Sequence, residues 1–306
     1  MHTPDAEHVG YAKIVHHFLD SGSFSLWTRA SKYTKEHDPT KPFAFYDTPE
    51  HWEYVDAYAN FVKANAEAID LYANVDVIPN PELTWRNQQY LEQKGLDPVP
   101  VIHYKTDMKW IRHYLGRPHK LIALGGLVGS TDQPACRRWL DDCFTIICDQ
   151  PDRTPLVRVH GFGVATVDLM FKYPFYSVDS STWVQVGGFG GIFMPPYRKG
   201  KFVYNVQPYL VKMSTGAPDK KEAGKHYLTL TPMERQVVEL WLDHIGMPLG
   251  KEGLDGEVIE YGVLTHHSYR KAANILYFEE LRRHLPDYPF PFHPPVRSKG
   301  FGFSKR

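Results

Sequence analysis

Three aspartates stand where a folded chain would offer acids to one ligand. Asp20 follows an apolar run within residues 14–24, Asp76 closes another at 68–77, and Asp179 ends the climb at 173–183 before Ser180, Ser181 and Thr182. A single acid at a strand end more often caps a turn than performs catalysis. Three at equivalent ends of successive units would face a common centre. There, at an acetal-like carbon, one carboxylate can attack or stabilise positive charge while another manages protons. His103 ends a run at 99–104, Gly125 and Gly126 end one at 120–126, and His160-Gly161 follow one at 156–163. The glycine pair fits a tight turn, or backbone N–H groups open to a flat, oxygen-bearing ligand. A hydrogen-bonded structural role is the simpler reading for His160, and also for His16-His17 inside the first run.

Helical patterns separate these runs. Thr48-Pro49-Glu50 supplies a cap, a first-turn proline and an early acid for a helix over 48–65. Further helices are expected over 81–94, 132–148 and 164–172, with a turn or helix over 110–115. Six strand–helix alternations imply an α/β fold with a parallel sheet, whose ligands sit at the carboxyl ends of the strands. A single-domain (β/α)8 TIM-type barrel over 1–306 explains the convergence of six polar or glycine ends better than an open sheet. Its remaining strands are expected from 184–194 and from either the N-terminus or 202–206. Residues 196–226 read as a surface excursion carrying Arg198, Lys199 and Lys201. Thr231-x-x-Glu234 forms a capping box for a helix to 245, and a helical region spans about 265–285. A basic tail at 297–306 holds Arg297, Lys299, Lys305 and Arg306, with Phe301 and Phe303.

Composition narrows the class. Of 306 residues 42% are hydrophobic and 23% charged, which is globular rather than disordered. Lysine plus arginine equals aspartate plus glutamate at 35 each, so any attraction to nucleic acid must come from local patches. No run suits a membrane span, and the first residues lack the regions of a signal peptide. Cys136, Cys143 and Cys148 cannot all pair and match no zinc spacing, so a reduced, cytoplasmic setting and no metal are expected. GGFGG at 187–191 is not followed by lysine and is no P-loop.

In order, the stretches LDSGSF, YANVD, VIHY, IALGGLVGS and VHGFGVATVDLMFKYPFYSVDSSTW resemble the tRNA-guanine transglycosylase superfamily over about residues 13–185. The resemblance is closest to its DNA-directed branch, the 7-deazaguanine DNA transglycosylases of phages and bacteria. It extends to HHSYRKAANILYFEELRRHL, which is similar to the helix closing the family barrel. It implies a (β/α)8 barrel that exchanges guanine in a polynucleotide for a 7-deazaguanine base such as 7-cyano-7-deazaguanine. Carried over by position, Asp179 is the nucleophile at the sugar C1′ and Asp20 the acid/base. Asp76 holds the base by its amino and ring N–H edge, and Gly125 and Gly126 meet its carbonyl. His103 stands where the tRNA enzymes usually have glutamine, while Ser21 and Gly161 complete the base-binding set. Arg198, Lys199, Lys201 and the tail cations are the implied phosphate contacts.

Two departures separate the chain from the tRNA enzymes. SSTW replaces their cysteine, proline and basic stretch after the nucleophile, and no cysteine follows Cys148, so the family-type zinc site is not expected. Both favour the DNA-directed branch, with DNA and a free deazaguanine base as partners, no membrane and no cofactor. The same exchange on tRNA and a non-catalytic nucleic-acid-binding protein remain the alternatives.

Overall fold

The computed structural model describes residues 16–129, 131, 133–216, 224–253 and 255–295. It is an α/β protein whose chain divides into two compact units, where the sequence reading has one domain. Among the described residues the first comprises those in 16–162, 175–177 and 291–295, and the second those in 163–174 and 178–290. The tail cations Arg297, Lys299, Lys305 and Arg306 lie outside the described residues, as do Phe301 and Phe303.

The first unit is built on short strands that neighbour each other in chain order. β1 (Phe18–Leu19) pairs parallel to β2 (Leu71–Tyr72). Ala73 bridges in parallel to Val99, just ahead of β3 (Val101–His103). β3 then pairs parallel to β4 (Leu121–Gly125), and β4 to β5 (Arg158–Gly161). The sheet continues to β6 (Ser177–Val178), where the first unit ends at Ser177.

Helices fill the intervals: α1 (Ser23–His37), α2 (Pro49–Ala64), α3 (Pro81–Gln93), α4 (Lys109–Leu115) and α5 (Pro134–Ile147). Their starts follow local chemistry. Thr48 accepts the His51 N–H ahead of Pro49 at α2, and Asn80 accepts the Leu83 N–H ahead of Pro81 at α3.

The array is curled. Strands lie about 4.8 Å apart, so β1 and β5 in a flat sheet would be separated by roughly 19 Å. Instead, the rings of Phe18 and His160 meet edge to face at 4.8 Å, and Phe162 lies 5.6 Å from Phe18. The concave side is filled by Ala73, Val99, Val101, Leu121 and Ala123, with Phe18 and Phe162 against them. No closed ring of hydrogen-bonded strands occurs among the described residues. A second core joins α1, α2 and α3 through Leu26, Phe45, Tyr46, Val55, Val62 and Leu91. The last described stretch returns to this unit. Phe292 is buried against Phe144, and its N–H donates to the Arg153 carbonyl at 2.9 Å.

The second unit departs from the βα alternation. It contains α6 (Val167–Lys172), α7 (Thr182–Gly188), α8 (Pro232–His244) and α9 (His267–His284). The expected strand over 184–194 begins only at Gly191. β7 (Gly191–Met194) pairs antiparallel with β10 (Tyr209–Lys212). The chain between them holds a hairpin, β8 (Tyr197–Arg198) and β9 (Lys201–Phe202), and no crossover helix, so a parallel return is unavailable. The alternative strand over 202–206 is reduced to Lys201–Phe202 in that hairpin. A further hairpin, β11 (Lys251–Glu252) with β12 (Val258–Glu260), precedes α9.

Residues 184–188 are helical because α7 packs on α9. Asn274 donates to the Trp183 carbonyl at 3.0 Å, and Arg270 Nε to the Gly187 carbonyl at 3.0 Å. A Cβ on Gly187 would lie 2.9 Å from the Lys271 backbone nitrogen. Gly187→Ala should therefore cost about 1–3 kcal/mol despite the better helix propensity of alanine. Gly188, with nothing within 4 Å of its Cβ position, is the control. Equal melting temperatures for the two alanine variants would refute this packing.

The first histidines also depart from expectation. His16 and His17 precede β1 and are exposed. His16 Nδ1 lies 3.2 Å from Asp70 Oδ1, and the His17 N–H donates to Asp70 Oδ2 at 2.8 Å. Only two residues of β1 pair with β2, too few to bring the histidines into the sheet.

Candidate functional site

The carboxyl ends of β1 to β4 carry the first unit's polar residues. Asp20 leaves β1 and folds back on the turn, with Oδ1 accepting the Gly22 N–H at 3.3 Å. Gly22 caps α1 with φ +71, and a Cβ there would meet the Tyr54 hydroxyl at 2.5 Å, so the turn requires glycine. The Tyr54 hydroxyl donates to the Ser21 carbonyl at 2.6 Å. The side chain of Ser21 is buried, its Oγ 2.7 Å from that of Ser23.

Asp76 sits on an irregular segment after β2 whose backbone is hydrogen-bonded by side chains. Tyr58 donates to the Ala73 carbonyl (2.7 Å), and Asn87 to the Val75 carbonyl (2.7 Å). The Val77 N–H donates to Thr84 Oγ1 (2.9 Å), while Asn74 donates to the Thr84 carbonyl (2.9 Å). His51 Nε2 lies 3.1 Å from Asn87 Oδ1 and orients the amide. Buried backbone groups need partners, and α2 and α3 supply them where no sheet does.

This segment delivers Asp76 Oδ2 to within 2.6 Å of His103 Nε2, with both side chains under 10% exposed. Among the described residues the other carboxylate oxygen, Oδ1, has no hydrogen-bond donor. Gly125 lies beside the pair: a Cβ would fall 3.1 Å from His103 Cδ2 and 3.2 Å from Val101 Cγ1. Its carbonyl is already engaged by the Tyr104 N–H at 2.9 Å. The space that sequence reasoning gives to a flat ligand over Gly125 is thus taken in part by the imidazole. Gly126 is exposed and holds φ +68, a left-handed turn suited to glycine.

Four tyrosines escaped the sequence reading. Burial, reinforced by the negative charge of Asp76, pushes Tyr46 up to about 12 and raises Tyr54, Tyr58 and Tyr114. Asp20 adds to the shift at Tyr54 and Tyr58, so both acids act on the same phenols. All four remain protonated donors at neutral pH. The buried hydroxyls of Tyr46 and Tyr114 have no partner among the described residues. Each of these rings lies in a stretch read only as helix or connector, and no local pattern marks one as facing an acid.

His160 is buried, its Nδ1 2.8 Å from Ser177 Oγ, and its ring sits between Phe18 and Phe162. Burial lowers its pKa to about 4, so it is neutral at pH 7 and suited to packing rather than to general acid work. Gly161, also buried, continues β5.

Asp179 belongs to the second unit. Its Oδ1 accepts the N–H of Gly163 at 2.8 Å, and Gly163 holds φ +73. Burial pushes the carboxyl above the ordinary aspartate value, and the Gly163 N–H partly opposes the rise. The residue nevertheless presents accessible surface to water, which screens its charge. The following hydroxyls start α7: Ser180 Oγ accepts the Thr182 N–H at 3.1 Å and lies 2.7 Å from Thr182 Oγ1. Gln185 donates to Ser181 Oγ at 2.9 Å. Ser180, Ser181 and Thr182 therefore serve as a helix start.

Arg198, Lys199 and Lys201 cluster on the β8–β9 hairpin, all exposed, with its turn at Lys199 (φ +50) and Gly200 (φ +80). Positive φ at both central residues suits the two-residue hairpin turn, and the tip concentrates charge. Cys136, Cys143 and Cys148 are buried on or beside α5, and burial pushes their thiols up. No group of three or more histidine, cysteine, aspartate or glutamate side chains among the described residues could hold a metal ion. None of the described helices is long and apolar enough to cross a membrane. Compared with known proteins, the chain matches no family model, no curated protein and no solved structure.

Proposed function

We propose that this chain exchanges guanine in DNA for a 7-deazaguanine base such as 7-cyano-7-deazaguanine, through a covalent aspartyl-glycosyl intermediate. One observation carries the reading. Asp76 is almost buried, with one oxygen on His103 and the other without a donor. That oxygen keeps contact with solvent, so it stands open to a base offering N–H groups along one edge, whose charge-assisted hydrogen bonds it would accept. Guanine and 7-deazaguanine both present such an edge.

In this reading Asp179 attacks C1′ as the C1′–N9 bond breaks, forming a glycosyl ester, while Asp20 protonates the departing guanine. The incoming base then gives its N9 proton to Asp20 and attacks C1′, releasing the Asp179 carboxylate. Two inversions retain configuration, and neither oxidant nor ATP enters the balance. His103 orients Asp76, Gly125 keeps room for that imidazole, and Gly126, Ser21 and Gly161 shape the backbone around them. The target guanine must leave its stack, at a cost of a few kcal/mol. Arg198, Lys199 and Lys201 would contact phosphates. We also take the curled array as part of a (β/α)8 barrel, supported by the Phe18–His160 contact.

Two measurements test this proposal. Labelled guanine already in DNA or in tRNA is incubated with unlabelled 7-deazaguanine, and release is followed from each polymer. Release from DNA is expected, and release from tRNA alone would transfer the proposal to the other polymer. Mass spectrometry of DNA from cells with and without the gene should find a deazaguanine nucleoside only in the former. Binding with unchanged base composition would leave a non-catalytic nucleic-acid-binding protein.

A further inference from the structure

The outer face of α1 carries a feature that neither the acids nor the hairpin cations use. Phe24 is 69% exposed and Trp27 39% exposed, their rings tilted at 34° with centroids 5.6 Å apart. They stand on the first turns of the helix that opens directly from the Asp20 turn. Leu26 and Ala30 bury the opposite face, so these two rings are not required by the core. Single exposed apolar residues are ordinary, but an adjacent aromatic pair is a surface that a partner can cover.

The charge on the same face indicates what kind of partner. Phe24, Thr28 and Lys35 recur at helical spacing along one stripe, flanked by Lys32. Lys32 and Lys35 are exposed, Arg29 projects from another side of the helix about 140° around from Phe24, and Glu36 is the one exposed acid on this helix, 3.8 Å from Lys32. Lysine is depleted in protein–protein interfaces, whereas aromatic rings interleaved with cations suit a polyanion carrying flat groups. In a duplex the base faces are hidden by their neighbours, while a single strand offers them. From Phe24 to Lys35 the stripe runs about 16 Å, at 1.5 Å per residue.

Resting on the nucleic-acid reading above, we propose that α1 is a track for single-stranded polynucleotide. A base stacks on Phe24 and Trp27, and phosphates follow Lys32 and Lys35. The track would hold the strand beside the target nucleotide and enter at the turn that bears Asp20.

The test measures binding without exchange. Fluorescence anisotropy with the full chain and labelled 15-mers of oligo(dT) or oligo(U), neither containing guanine, makes the result independent of whether guanine is exchanged. Phe24→Ala and Trp27→Ala should each weaken binding by about fivefold or more, and Trp27→Tyr should restore most of the loss. Lys35→Gln should lower the slope of log affinity against log salt by about 0.7. Melting temperatures should be unchanged, and a duplex of equal length should bind at least about tenfold more weakly. Tighter binding of either single strand supports the track and names its preferred sugar. The proposal is overturned by unchanged affinity in the Phe24→Ala/Trp27→Ala double variant, or by equal binding of duplex. A dimer that this double variant dissociates in light scattering would assign the face to a second copy of the chain.

Discussion

Replacing Asp179 by alanine should lower guanine exchange by at least about 10³-fold, and the covalent protein–DNA species on denaturing gels should vanish with it. Asp179→Asn separates chemistry from architecture. Asparagine keeps an acceptor for the Gly163 N–H, so the loop stays held, but it cannot form the glycosyl ester. The pH dependence follows from the direction of the shift. Asp179 must be ionised to attack, and its pKa is raised by burial, so exchange should fall on the acid side at a higher pH than an ordinary aspartate would give.

The sign for stability is opposite. Between the unfolded and the raised folded pKa the folded state binds more protons, so this group's contribution falls as pH rises through that window. Above the window its charge is a standing penalty. Asp179→Asn should therefore melt no lower than the parent at neutral pH, and acid should narrow any gain. Full exchange activity in Asp179→Ala would sink the nucleophile assignment. A collapse of Asp179→Asn at neutral pH would instead show that the carboxylate holds structure.

The second large effect concerns Asp76 and His103, and its stability part requires no substrate. At 2.6 Å and under 10% exposure, each is the other's buried partner. Asp76→Ala leaves the buried imidazole nitrogen without its acceptor, which costs about 1–3 kcal/mol. At about 2–4 °C per kcal/mol for a chain of this class, the melting temperature should drop by roughly 2–12 °C. The double variant Asp76→Ala/His103→Ala should lose less than the sum of the single losses, with a coupling of about 0.5–3 kcal/mol. Strict additivity in that cycle would mean the pair contributes nothing. Asp76→Asn retains volume and an acceptor for His103 but presents a donor to the base edge. It should fold nearly normally and still lose exchange by about 10²-fold.

Much of the first unit's strand and helix pattern was legible in the sequence because period and punctuation were local. Thr48-Pro49 and the Thr231–Glu234 capping box mark helix starts that are observed at α2 and α8. The runs ending at His103 and Gly125-Gly126 form paired strands. Other features depend on distant residues. Residues 184–188 read as strand, but Asn274 and Arg270 on α9 hold them as a helix. The side chains fixing the backbone of the Asp76 segment come from residues 58, 84 and 87, whose spacing carries no motif. The ring over Gly125 was missed for the same reason, since His103 reaches that glycine only through the β3–β4 pairing, in which the two are register partners. The division into two units was equally hidden, because it turns on residues 175–177 and 291–295 rejoining the first unit.

That rejoining has a bearing on how the protein is made. Strands β1 to β5 neighbour one another in the order of synthesis, so the array can grow by local contacts as the chain emerges. Phe292, however, belongs to the same unit and covers Phe144 from more than a hundred residues downstream. The first unit to begin folding is therefore among the last to finish. Until Phe292 arrives, a nascent chain must keep the aromatic patch around Phe144 from other partners, and the second unit has to be synthesised in that interval.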